Sequence, residues 1–291
     1  MERKKLTIQL ALVLCSCLFV FQSINAQTLA ESTTAYNEAV KIAETDPAGA
    51  QKAMTVLLPQ LESLGAEGAD LKGKVEQNIP LMQYKAAIKA YKGKQLKTAI
   101  AGFENALTLS ETYKNADVPN KVKPQLPSLY YSYGRSLIKQ KDKEGAMAAF
   151  DKSISIDPSY AKAYYGKSML YRNELHRDSM FVYVDKAISL AGDNAKSIST
   201  FKKGTAKHLF SKGKGYNKSK KHKKALSVLT TALEKYVDGN TKNVGKYHFE
   251  TGKAHAGLNQ KSKACAAYNN VKKGKYLEAA KYEIQHTLKC N

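Results

Sequence analysis

Tryptophan is absent from these 291 residues, so tyrosine (18) and phenylalanine (8) must supply every large aromatic packing group. Acidic residues are scarce toward the C-terminus. Residues 201–291 hold only Glu234, Asp238, Glu250, Glu278 and Glu283, against 21 basic residues. That is a poor supply for acid–base chemistry. There is no Gly-x-Ser-x-Gly elbow, no glycine loop to cradle phosphate, and no paired carboxylates with an evident partner. The histidines (His176, His208, His222, His248, His255 and His286) lack the His-x-x-x-His spacing of a metal helix, so core packing is favoured over ligation. Runs of alternating β-branched residues are missing too, which leaves helical periodicity dominant. The expectation is a chain with no catalytic residues, no metal and no cofactor.

One long apolar run is present, Leu6 to Phe21, behind the basic Arg3, Lys4 and Lys5. With Ala26 ending a cleavage site, residues 1–26 read as a removable signal peptide, and the mature chain as exported to the periplasm or cell envelope. A retained N-terminal anchor and a lipoprotein modified at Cys17 are the competing readings. No other stretch approaches the roughly 20 apolar residues of a membrane span.

A formal net charge of +22 is unevenly spread. Residues 27–120 carry 10 basic against 11 acidic groups, residues 121–200 carry 13 against 8, and residues 201–291 carry 21 against 5. The basic character belongs to the C-terminal third.

What recurs is a spacing. A small residue is followed four positions later by an aromatic or leucine, and three after that by another small or β-branched residue. The copies are Ala99-Phe103-Ala106, Ala146-Phe150-Ser153, Ala225-Leu229-Ala232 and Ala264-Tyr268-Val271. In the last three a glycine stands twelve residues before the alanine, at Gly134, Gly213 and Gly252. Self-similarity of this kind marks a stack of two-helix units. The periodicity predicts helical pairs over 28–44 and 48–64, 71–91 and 96–109, 128–140 and 143–156, 161–173 and 179–190, 195–217 and 220–236, and 244–257 and 261–272. A closing helix follows over 276–289. Pro59 is expected to kink its helix, and residues 112–127, with three prolines, read as a longer connection.

These residues resemble the tetratricopeptide repeat family. The best copy runs from about Pro127 to Tyr160, with Tyr130 at the family's Trp place and Gly134, Ala146, Phe150 and Pro158 at theirs. The next copy departs, with Ser168 for the glycine, Met180 for the alanine and Gly192 for the proline. The resemblance implies an all-α, right-handed solenoid of about six helix pairs with a C-terminal capping helix. Its parts would be a degenerate N-terminal pair (27–78), the repeats (79–275) and the cap (276–291). An Ala-Cys in the last repeat, at Ala264-Cys265, with Cys290 near the chain end also looks like the arrangement in exported tetratricopeptide proteins of Bacteroidota-type bacteria.

The mature chain keeps two cysteines, Cys265 on the last repeat and Cys290 near the end. An even count in an exported chain favours a disulfide, with two buried free thiols or a metal or redox site as alternatives.

In family members the first helix of each repeat lines a concave groove. Carried over, position 5 falls on Tyr84, Tyr131, Tyr165, Phe210 and Phe249. Position 2 runs Leu81, Ser128, Lys162, Lys207 and Lys246, and position 9 runs Ile88, Arg135, Met169, Lys214 and Lys253, so the groove begins apolar and becomes cationic toward the C-terminus. Arg172 and Lys218 add cations at positions 12 and 13. The implied function is non-catalytic protein binding or scaffolding, the partner an extended peptide with acidic side chains or a C-terminal carboxylate. Cations take carboxylates by charge-assisted bonds while aromatic faces supply contact area. Packing for the aromatics and solvation for the lysines are the bland alternatives. A second functional reading uses the run Lys218, Lys220, Lys221, Lys223 and Lys224 as a face for an anionic envelope polymer or a membrane surface; nucleic acid fits an exported chain poorly.

Overall fold

The computed structural model describes residues 28–172, 177–237 and 243–290, so the proposed leader lies outside the described residues. Among the described residues there are helices and no strands. The helices are α1 (Leu29–Ile42), α2 (Pro47–Ser63), α3 (Ala69–Lys92), α4 (Leu96–Thr112), α5 (Asp117–Val122), α6 (Leu126–Lys139) and α7 (Lys143–Ile156). They continue as α8 (Ala161–Leu170), α9 (Arg177–Leu190), α10 (Ala195–Lys218), α11 (His222–Thr231), α12 (Gly245–Gly257), α13 (Lys261–Asn269) and α14 (Leu277–Tyr282). π-helical turns extend α11 over Ala232–Tyr236 and α14 over Glu283–Thr287. The architecture is all-α, a tetratricopeptide-like succession of helix pairs closed by α14. Contacts group the chain into two compact units, one ending at Tyr133 and one beginning at Gly134 within α6.

All twelve residues of the four spacing copies are buried. The repeat works because its glycines make room for its aromatics. A Cβ on Gly134 would stand 2.7 Å from the Phe150 ring, one on Gly213 2.5 Å from Leu229, and one on Gly252 2.6 Å from Tyr268. Phe150 meets a second glycine as well, Gly166 on α8, at 2.5 Å from the Cβ position. One ring thereby locks α6, α7 and α8 together. The departing copy keeps the frame with larger residues, since Met180, Val184 and Ala187 follow the same spacing and are buried. Ser168 lies buried too, its hydroxyl donating to the Tyr165 carbonyl at 2.7 Å.

The four pairs that carry the spacing copies turn in the same way. Lys94, Lys141, Lys220 and Asn259 all adopt positive φ (61°, 67°, 57° and 58°), and each stands five residues before the alanine of its copy. The next residue's N–H closes a Schellman motif on the carbonyl five back: Gln95 on Ala90, Asp142 on Leu137, Lys221 on Tyr216 and Gln260 on His255, at 2.8–3.0 Å. Three of four positions where glycine is the usual choice carry lysine.

In the first unit, Ala50, Met54 and Leu57 repeat the spacing and join a core with Leu61, Leu71, Val75 and Ile79. Helix α2 runs through exposed Pro59 and α3 through buried Pro80 without ending. The stretch read as a long connection contains α5, with Val118 and Val122 buried. Asn115 caps it, its Oδ1 accepting from the Asp117 and Val118 N–H groups at 3.0 Å while its Nδ2 donates to the Gln77 carbonyl at 2.9 Å. Prolines and polar residues masked this short helix.

Candidate functional site: cations over aromatic pairs in the second unit

Tyr165 on α8 and Phe249 on α12 are buried, so they act as floor rather than free surface. Tyr165 stacks on Phe201 of α10, with centroids 4.7 Å apart. Its hydroxyl accepts from Arg172 Nη2 at 3.0 Å, and the Arg172 guanidinium lies 5.7 Å from its ring centre. Tyr165 and Arg172 therefore serve each other, although Arg172 Nε is buried without a hydrogen-bond partner. Phe249 packs between Tyr268 and Tyr276, at 5.5 and 5.2 Å, with Lys253 Nζ 5.8 Å above its ring.

Phe210 is half-buried and meets Tyr247 edge-on at 5.2 Å. Lys246 Nζ sits over both rings, 4.9 Å from Phe210 and 5.2 Å from Tyr247. Burial and the nearby Lys207 and Lys275 ammonium groups push Lys246 below the ordinary lysine pKa. Burial raises the Tyr247 phenol to about 12, so it remains a neutral donor at pH 7. Lys207 and Lys246 were legible by repeat position. Tyr247 and Lys275 were not, because neither falls on a family contact place and Lys275 precedes the cap.

Lys162, Lys207, Lys214, Lys218 and Lys253 are exposed, as is Arg135 at the start of the second unit. Lys218 ends α10, and Lys220 and Lys221 form the turn into α11. In the first unit, Tyr131 is half-buried. Tyr84 packs against Phe103 at 5.7 Å, accepts from Gln125 Nε2 at 3.2 Å, and lines a cavity of about 540 Å³ with Ile88, Lys89 and Glu44.

A buried polar network escaped the sequence reading. Glu250 on α12 is 2% exposed. Asn217 on α10 donates to its carbonyl at 2.8 Å and to its carboxylate at 2.9 Å, while Asn217 Oδ1 lies 3.3 Å from His222 Nδ1. The network pins α12 to α10, the two helices that carry Lys207, Phe210 and Lys246. His255, given to the core by the sequence, instead meets Gln260 Oε1 at 2.7 Å in an exposed contact beside the α12–α13 turn.

Cys265 on α13 and Cys290 after α14 stand with Cα atoms 5.9 Å apart, in bonding geometry. Around them Phe249, Ala264, Tyr268, Val271 and Ala280 form the terminal core. No group of three or more His, Cys, Asp or Glu among the described residues could hold a metal ion. No described helix is long and apolar enough to cross a membrane.

The tetratricopeptide repeat profile matches residues 127–160, the segment in which Phe150 sits on Gly134. No curated protein matches the chain. Among solved structures, a tetratricopeptide repeat protein from Parabacteroides merdae is 16% identical, covering 89% of this chain and all of that one, with a TM-score of 0.29. A thermophilic tetratricopeptide repeat protein of Thermus thermophilus is 18% identical, covering 72% of this chain and 96% of that one, with a TM-score of 0.23. The chain thus carries one repeat that the tetratricopeptide profile matches, at 127–160, and the glycine-seated packing of that repeat recurs at Gly213–Leu229 and Gly252–Tyr268.

Proposed function

We propose that the chain is a non-catalytic protein-binding or scaffolding module whose second unit takes an extended acidic or carboxylate-bearing peptide against α10 and α12. One observation carries this reading: Lys246 rests on the Phe210–Tyr247 pair while Lys207 and Lys275 crowd it. A carboxylate placed among these ammonium groups relieves their repulsion and gains charge-assisted hydrogen bonds, and the rings beneath offer apolar contact at small entropic cost. The buried Asn217–Glu250 contact holds the two helices in register, so the site needs little ordering on binding.

The leader-like N-terminus and the paired cysteines support a place in the cell envelope, with a Cys265–Cys290 disulfide tying the cap. Crosslinking in intact cells followed by mass spectrometry of captured proteins tests the reading. Capture of a partner by the wild type, lost in Lys207→Glu/Lys246→Glu, supports it. Retention in that variant but loss on charge reversal at Lys220, Lys221, Lys223 and Lys224 favours the anionic polymer or membrane reading, which rests on the absence of acidic residues from 194–233.

A further inference from the structure

Helix α10 presents two distinct polar faces. At about 100° per residue, His208, Lys212 and Tyr216 share a face roughly 150° around the helix from Lys207, Phe210, Lys214 and Lys218. That second face opens into a crevice of about 420 Å³ between α9, α10 and α11. Arg177 and Met180 enter it from α9, His208, Leu209, Lys212 and Tyr216 from α10, and Lys223, Lys224, Ser227 and Val228 from α11. None of these described lining residues is acidic. Arg177 Nη1 donates to Ser227 Oγ at 3.4 Å, bridging α9 and α11, and Lys224 Nζ lies 6.0 Å over the Tyr216 ring.

We propose that this crevice binds a small organic oxyanion, a phosphate monoester carried on a compact apolar body. Basic side chains from three helices converge here, and Met180, Leu209 and Val228 provide an apolar wall. The volume lies within the usual range for small-molecule sites. A phosphate monoester at pH 7 bears nearly two charges and three strong acceptors, matching a guanidinium, several ammonium groups and a hydroxyl. The apolar wall asks for more than a bare anion. The site lies on another face of α10 from the aromatic pairs and does not depend on the groove.

His208 reports on the charge in the crevice. Burial, with Arg172 and Lys212, holds its imidazole down to about 4, so it is neutral at pH 7. Arg172 faces it from before α9, Arg177 from α9, Lys212 from α10, and Lys223 and Lys224 from α11. A bound dianion offsets these cations and raises the imidazole midpoint.

Phenyl phosphate, inorganic phosphate and benzoate serve as probes, titrated at low salt and pH 7 into the full chain. The His208 imidazole resonance is followed by NMR, assigned through His208→Gln. Phenyl phosphate is expected to saturate, to bind at least about tenfold tighter than either other probe, and to raise the His208 midpoint. Lys212→Gln, and separately Lys223→Gln/Lys224→Gln, should each weaken it about tenfold, while a change at exposed Lys261, Lys261→Gln, leaves it unchanged. Circular dichroism confirms that each variant folds. Absence of saturation, equal affinity for all three probes, or equal weakening by Lys261→Gln would overturn the proposal.

Discussion

Tyr268 occupies the space that a side chain on Gly252 would need: a Cβ there would stand 2.6 Å from its Cε1. Sixteen residues separate the two, and the same interval separates Gly134 from Phe150 and Gly213 from Leu229. The interval is set by one helix, a Schellman turn and the first turns of the next.

Gly252→Ala should therefore destabilise the chain, although alanine is the better helix former by about 1 kcal/mol. Overpacking costs about 1–3 kcal/mol, so urea unfolding is expected to show a net loss of up to about 2 kcal/mol. Tyr268→Ala, which empties the space the ring fills, should remove most of that penalty in the double variant. A stabilising Gly252→Ala would show that the close approach is not enforced.

The repeat spacing and nearly all helix pairs were legible in the sequence because burial follows side-chain size and period. The turns were not. Lys94, Lys141 and Lys220 bear no mark of a left-handed residue, and tertiary packing imposes that conformation at a cost of about 1–2 kcal/mol each. Helix α5 hid for a related reason: its cap is Asn115, held from α3 by a contact 38 residues distant. The candidate site divided similarly. Repeat positions yielded Lys207, Phe210 and Lys246, while Lys275 and the Asn217–Glu250 contact depend on how separate helices meet.

Lys220→Gly tests the turn directly. Relief of strain outweighs the added freedom of the unfolded glycine, so thermal unfolding should show a stabilisation of up to about 1 kcal/mol. Lys220→Val should lose more than about 1 kcal/mol, because a β-branched residue fits positive φ poorly.

Asn217→Ala removes both hydrogen bonds to Glu250 and leaves its buried carboxylate without them. Such a loss costs about 1–3 kcal/mol or more for a charged group. Chemical denaturation should register it, and the double variant Asn217→Leu/Glu250→Leu should recover part of it. Additive effects of the two single changes would contradict the coupling.

Stability should fall as pH falls from about 6.5 to about 4. His208 titrates near 4 when folded against about 6.5 when unfolded, so in that interval the unfolded chain binds the extra proton. His248, also lowered by burial, acts in the same direction. His208→Gln should flatten the profile of melting temperature against pH across this interval; an unchanged slope would remove His208 from the account.

The cap gives a covalent test. A Cys265–Cys290 bond closes 25 residues and contributes roughly 3 kcal/mol in the chain-entropy model. Non-reducing peptide mapping of protein recovered from its native compartment should find the two joined, and Cys265→Ser/Cys290→Ser should lower stability by roughly that amount. Both thiols open to alkylation in the native protein would contradict the tie.

The most direct measurement is calorimetric titration of a ten-residue oligoglutamate peptide with a free C-terminus into the full chain, at two salt concentrations. The account predicts saturable, salt-sensitive binding that Lys207→Glu/Lys246→Glu weakens at least about tenfold, with folding unchanged by circular dichroism. Equal binding by the wild type and that variant would contradict it.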